Sequence, residues 1–155
     1  METYEEIKNV FLQKADKEEL KRCFLYPENC VNYDYNFFGF LEQYYHLSKI
    51  IPKHWTIIDF GCASAFQSVF FDKHKLYFGV DSNTPIEHRY KTENSVNYDC
   101  SIEYAINNNY FKDLNLNETF VISNFVPSQC ANSQIRSAFP NLFIYYPSGT
   151  EGEKL

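Results

Sequence analysis

Two aspartates stand where a strand gives way to a turn. Trp55-Thr56-Ile57-Ile58-Asp59-Phe60 is a β-branched and aromatic run that ends on an acid and then Gly61, the pattern of a buried parallel strand entering a tight turn. Twenty residues beyond Gly61, a second run closes in Gly79-Val80-Asp81. In an open parallel sheet, ligands sit over the carboxyl ends of the strands. There a glycine turn lets the backbone come close, and an acid at the end of the next strand can accept from both hydroxyls of a ribose. The chemistry this spacing offers is recognition of a nucleoside. Asp59 and Asp81 taken singly also suit turn capping, a common role for aspartate, so it is the pairing that carries the reading.

The elements needed to position these acids can be read around them. Further strand candidates are Leu76 to Val80, a weak one at Ser95 to Tyr98, Thr119 to Ser123 and Leu142 to Tyr146. Helical or irregular connections separate them at Phe66 to Phe71, after Thr84, at Ile102 to Tyr110 and at Cys130 to Phe139. Short apolar strands alternating with such connections predict right-handed βαβ units and an α/β fold with about five mostly parallel strands. Ahead of them, Tyr4, Ile7, Val10 and Phe11 recur at helical spacing, and Asp16-x-x-Glu19 predicts a capping box for a second short helix. Phe37, Leu41, Tyr44, Leu47 and Ile51 form one stripe of a third helix that stops at Pro52. The expected organisation is an N-terminal helical cap or lid over residues 1–52 and a cofactor-binding core over 53–155, together one domain. The Tyr33-Asp34-Tyr35 and Tyr44-Tyr45 clusters are candidates for the lid, with core packing the equal alternative for the second.

Composition narrows the function. The 155 residues carry a net charge of −6, with 14 Lys and Arg scattered rather than blocked, so no phosphate-tracking stripe is visible and a nucleic-acid partner is disfavoured. No apolar run of membrane-spanning length occurs, and Met1-Glu2-Thr3-Tyr4-Glu5-Glu6 is acidic where a signal peptide would be basic and then apolar; a cytoplasmic protein with no membrane partner is expected. The five cysteines include no C-x-x-C pair, which predicts reduced thiols and neither a disulfide framework nor a zinc site. Aromatic residues make up 19% of the chain, enough to build a core, a self-association surface or a stacking pocket.

At the two acids the chain resembles class I S-adenosylmethionine-dependent methyltransferases. Asp59 to Ala65 is similar to their first motif, Tyr77-Phe78-Gly79-Val80-Asp81 to the second-strand motif, and Phe120-Val121-Ile122-Ser123-Asn124-Phe125 to the fourth strand at the active-site mouth. Tyr98-Asp99-Cys100-Ser101 matches the loop after the third strand. The resemblance spans residues 37–146 and implies a Rossmann-like three-layer sandwich that binds S-adenosylmethionine or S-adenosylhomocysteine. It implies that Gly61, Cys62 and Ala63 form the turn under the methionine part, with Asp59 near the amino group or acting through water. Asp81 and Ser82 would hold the ribose, Asp99 and Cys100 the adenine edge, and Asn124 would be the catalytic group nearest the methyl. The acceptor would be a small molecule or a protein side chain.

The departures from the family pattern matter as much. Ala63 and Ala65 stand where many members have glycine; alanine fits the turn if its φ is negative. Asn124-Phe125-Val126-Pro127 matches the Asn-Pro-Pro-aromatic motif only in part. After the fifth strand only Ser148 to Leu155 remain, too few for the family's closing hairpin. Leu142 to Tyr146 is therefore expected at a sheet edge, covered by a second copy in a homodimer or by the N-terminal helices. With no evident base or catalytic set, a non-catalytic Rossmann-like binding or assembly module is the alternative function. A nicotinamide site is disfavoured because the turn lacks the three-glycine fingerprint.

Overall fold

Five parallel strands share one sheet in the order β3-β2-β1-β4-β5. In this computed structural model, which describes residues 4–23 and 35–146 and the side chains of all of these but 35–40, the strands are β1 (Thr56–Phe60), β2 (Leu76–Asp81), β3 (Ser95–Asp99), β4 (Thr119–Asn124) and β5 (Leu142–Tyr145). The central strand β1 is buried along its whole length, as the unbroken Thr-Ile-Ile-Asp-Phe run predicts for a strand covered on both faces. It pairs in register with β2 (Ile58 opposite Phe78) and with β4 (Ile58 opposite Val121). The chain runs β1 to β2 to β3 outward on one side, then crosses back to β4 on the other. The order reverses between β1 and β4, which places a topological switch point at the carboxyl end of β1. The expected α/β Rossmann-like three-layer sandwich is the observed architecture.

Alternate side chains of the strands enter two separate cores. On one face Ile57, Tyr77 and Ile122 pack with Ile7 and Phe11 of α1 (Tyr4–Lys14), Leu41 and Tyr44 of α3 (Tyr35–Ile50), and Phe70 and Phe71 of the 3-10 helix Phe66–Phe71. On the other, Ile58, Phe78, Val80 and Val121 pack with Ile102 and Ala105 of α4 (Ile102–Asn107) and Ile135 of α5 (Gln129–Ala138). The N-terminal helices expected as a cap thus form one layer of the sandwich, with Phe11 and Tyr44 wholly buried. The Tyr33 and Asp34 part of the proposed lid lies outside the described residues, as does the Ser148 to Leu155 tail.

The short helix α2 (Lys17–Arg22) begins with half of the expected capping box: Asp16 caps it by accepting from the Glu19 N–H at 3.0 Å, but the Asp16 N–H goes to Tyr90 and not to the Glu19 carboxylate. It is tied to the loop between β2 and β3. Tyr90 Oη accepts from the Asp16 N–H at 2.8 Å, Glu19 Oε1 accepts from the Lys91 N–H at 3.2 Å, and the Arg22 guanidinium donates to the carbonyls of Glu87 and Arg89. Strand β5 is the outer strand next to β4, at the sheet edge where Leu142 to Tyr146 was expected.

Candidate functional site

An open cleft of about 290 Å³ lies at the carboxyl end of the sheet on the α4 and α5 side, and Gly61, Asp81, Ser82, Cys100, Phe125 and Ser128 are among the residues that line it. Three neighbouring strand ends therefore meet at one opening: the turn after β1, the acid that ends β2, and the loop after β3. Two helices start on its rim. Ser101 Oγ accepts from the Tyr104 N–H at 3.0 Å to cap α4, and Ser128 Oγ accepts from the Ala131 N–H at 3.1 Å to cap α5. A hydroxyl before a helix satisfies one of its unpaired first-turn donors.

Asp81 is the centre of the cleft's hydrogen bonding. Its Oδ2 accepts from the Ala63 N–H at 2.9 Å, and its Oδ1 accepts from the Asn83 N–H at 2.7 Å. A carboxylate offers about four acceptor positions, so each oxygen retains one for a ligand. The turn it holds has three residues in left-handed backbone: Gly61 (φ +76°), Ala63 (φ +50°) and Ala65 (φ +58°). The negative φ on which the fit of alanine at position 63 depends is not what the turn adopts; both alanines occupy conformations that glycine takes without a steric penalty. Gly61 has no room for a side chain, since a Cβ there would sit 2.7 Å from Val126 Cγ2.

The far lip is set by the end of β4. Ser123 Oγ donates to Asn132 Oδ1 at 2.7 Å, and Asn132 Nδ2 donates to the Val126 carbonyl at 2.9 Å, so α5 fixes the loop from Phe125 to Ser128. Phe125 also has left-handed backbone (φ +63°). Its N–H donates to the Tyr145 carbonyl at 2.9 Å, and its half-exposed ring meets Tyr145 edge-on at 5.5 Å.

Of the residues singled out in sequence, Gly61, Asp81, Ser82 and Cys100 line the cleft. Ala63 touches it through its bond to Asp81, and Asp99, opposite Asp81 in the β2–β3 register, is exposed at the strand end outside the lining. Asp59, Cys62 and Asn124 lie inward, on the α3 face of the sheet. Asp59 is completely buried; its Oδ2 accepts from Gln67 Nε2 at 2.8 Å and from the Tyr77 hydroxyl, while its Oδ1 has no hydrogen-bond partner among the described residues. Burial raises its pKa to about 7, against the two hydrogen bonds, which lower it. Burial, and then the Asp59 charge, likewise push the Cys62 thiol and the Tyr44 and Tyr77 phenols up. Cys62 is no nucleophile in this state, because the thiolate is disfavoured. Asn124 is 2% exposed, beside the Tyr44 hydroxyl of α3.

Sequence reasoning passed over Ile102, Glu103 and Ser128 in the lining, and quoted Ser101 and Val126 only within motifs, without a role of their own. The two serines carried a readable signal, a hydroxyl residue immediately before a helical stretch. The described lining includes the acids Asp81 and Glu103, which can accept hydrogen bonds from hydroxyl or amino groups of a ligand. Among the described residues no group of three or more His, Cys, Asp or Glu could hold a metal ion, and no helix is long and apolar enough to cross a membrane. Comparison with family models, curated proteins and solved structures finds no match to this chain.

Proposed function

We propose that this Rossmann-like domain binds S-adenosylmethionine in the cleft at the switch point and transfers its methyl group to a small-molecule or protein acceptor. The observation that carries the reading is the convergence of Gly61, Asp81 with Ser82, and Cys100 with Ser101 on one cleft whose charged lining residues are acids. The two acceptor positions left on Asp81 suit the two ribose hydroxyls. The Cys100 to Ile102 backbone would meet the adenine edge, and the Gly61 turn would pass under the methionine part. The turn after β1 lacks the three-glycine fingerprint, which disfavours a dinucleotide there. When bound, the cofactor supplies an already activated methyl group. The protein's own task is then alignment, with Asp81 fixing the nucleoside and the Phe125 to Pro127 lip bounding the side from which an acceptor enters.

Calorimetry with S-adenosylmethionine and S-adenosylhomocysteine tests the reading directly. Saturable heat with both ligands, followed by transfer from labelled cofactor to an acceptor pool, is the expected result; no heat and no thermal shift at millimolar ligand would overturn it. A second reading, a non-catalytic binding or assembly module, is favoured by the position of Asn124, whose side chain is buried under α3 rather than in the cleft. Ligand binding without transfer to any acceptor would select it.

On either reading we infer a homodimer joined at the outer edge of β5, where Tyr145 is 37% exposed, and a cytoplasmic setting in which Cys23, Cys62, Cys100 and Cys130 stay as free thiols. Light scattering at micromolar concentration decides the first: a mass of one chain would exclude the dimer.

A further inference from the structure

Arg89 lies in the loop between β2 and β3 and is among the largest side chains sealed from solvent, at 0% exposure. None of the ion pairs among the described residues includes it. Its guanidinium instead donates to four main-chain carbonyls: Nε to Thr84 at 2.9 Å, Nη1 to Gly79 at 3.2 Å and to Tyr98 at 2.9 Å, and Nη2 to Asp81 at 2.6 Å. Burying a cation without a carboxylate is expensive unless its donors are satisfied, and a planar fork with five N–H groups is the one side chain that can serve four carbonyls at once. The acceptors are not scattered. Gly79 and Asp81 end β2, Tyr98 is next to the end of β3, and Thr84 lies in the loop that leaves β2.

We propose that Arg89 is the positioning residue of the cleft, the group that, together with the Cys100 N–H bond to the Asp81 carbonyl at 3.2 Å, fixes the Asp81–Asn83 rim and the Cys100–Ser101 rim relative to each other. The proposal rests on the cleft's being the ligand site. A packing role alone would be met by an apolar side chain on a different set of neighbours; here Asp81 lines the cleft, Gly79 and Thr84 adjoin lining residues, and Tyr98 is two residues from Cys100. The clamp is held from outside as well. Arg22 of α2 donates to the carbonyl of Arg89 itself and to that of Glu87, and it pairs with Glu19. The N-terminal helical segment therefore reaches the cleft through Arg89, without touching a ligand.

The test uses the full chain with Arg89→Lys and Arg22→Ala. Lysine keeps the charge but cannot span four carbonyls. Two readouts are taken well below the melting temperature: affinity for S-adenosylhomocysteine, and hydrogen exchange of the Ala63 and Asn83 amides without ligand, because both donate to Asp81. In Arg89→Lys, affinity should fall at least about tenfold, and protection of those two amides should fall by a similar factor, as expected for loss of charge-assisted hydrogen bonds. The Val121 amide in the sheet centre should keep its wild-type protection. Arg22→Ala should shift the same two amides in the same direction by a smaller factor. Native affinity with native protection in a folded Arg89→Lys protein overturns the proposal. If that variant does not fold, Arg22→Ala decides alone: selective loss of protection supports the clamp and native protection overturns it. Should the wild-type protein bind no adenosyl ligand, the functional reading fails, and the exchange result still determines whether Arg89 sets the rim.

Discussion

The backbone N–H of Ala63 donates to Asp81 Oδ2 at 2.9 Å, so the turn that follows the central strand is latched to the acid that ends its neighbour. With the Asn83 N–H on Oδ1, the carboxylate shapes both walls of the cleft before any ligand arrives. Asp81→Ala removes both bonds and should destabilise the fold by about 1–3 kcal/mol while weakening S-adenosylhomocysteine binding at least about tenfold. Asp81→Asn keeps one oxygen acceptor and should recover much of the stability but not the affinity. Urea denaturation and calorimetry on the same samples separate the two effects. Native affinity in both variants would leave Asp81 as a turn cap and nothing more.

The left-handed alanines predict different responses to the same substitution. Holding an L-residue in this conformation costs about 1–2 kcal/mol, whereas glycine adds back about 0.4–1 kcal/mol of unfolded-state entropy. Ala63 is exposed, its methyl buries little, and Ala63→Gly should stabilise the protein by up to about 1 kcal/mol. Ala65 is 1% exposed; losing its methyl costs about 0.8 kcal/mol of burial, so Ala65→Gly should be neutral or worse. Equal gains at both positions in urea melts would mean that burial at Ala65 counts for nothing.

Much of the sheet and part of the site were legible because they rest on local pattern. The unbroken apolar run of β1, the Asp16 cap of α2 and the spacing from Gly61 to Asp81 are written in adjacent residues, and the structure places Gly61, Asp81, Ser82 and Cys100 on one cleft. What was not legible depends on which face of a strand a side chain takes. Asp59 and Asn124 sit at the ends of β1 and β4 as expected, yet the pleat turns both toward α3, where Asp59 meets Tyr77 and Gln67. Arg89 gave no signal at all: a single arginine in a polar loop looks like a surface residue, and its four acceptors are carbonyls that every sequence possesses.

Gly61 predicts a repairable clash. Gly61→Ala both forces alanine to φ +76° and sets its Cβ against Val126 Cγ2, which should cost more than the roughly 1–2 kcal/mol of conformational strain alone. Val126→Ala removes the opposing methyl groups without easing the backbone. In a double-mutant cycle the pair should be less destabilised than the sum of the singles, by about 0.5 kcal/mol or more. Strict additivity would show that the turn shifts instead of clashing.

Asp59 makes the stability of the protein depend on pH in an unusual direction. Its pKa rises from 3.8 to about 7, first because burial penalises the charge, while the Tyr77 and Gln67 hydrogen bonds work the other way. Between these values the folded protein holds a proton that the unfolded chain releases, so stability from this group is complete below about pH 4 and is lost as pH rises toward 7. The buried His74 imidazole is shifted down, again by burial, and its contribution has the opposite slope, being lost as pH falls below the unfolded value of 6.5. The net profile mixes the two, and the difference between variants isolates Asp59. Asp59→Asn cannot ionise, so its stability relative to wild type should improve from pH 4.5 to about 7 and level off above it, at up to about 1.4 kcal/mol per pH unit where the proton counts differ by one. Tyr77→Phe removes a hydrogen bond that favours the carboxylate, and should move the upper end of that window to higher pH. Urea denaturation across this range provides the measurement. A wild-type minus Asp59→Asn difference that stays flat with pH would show that Asp59 is ionised throughout, with its Oδ1 charge compensated inside the fold.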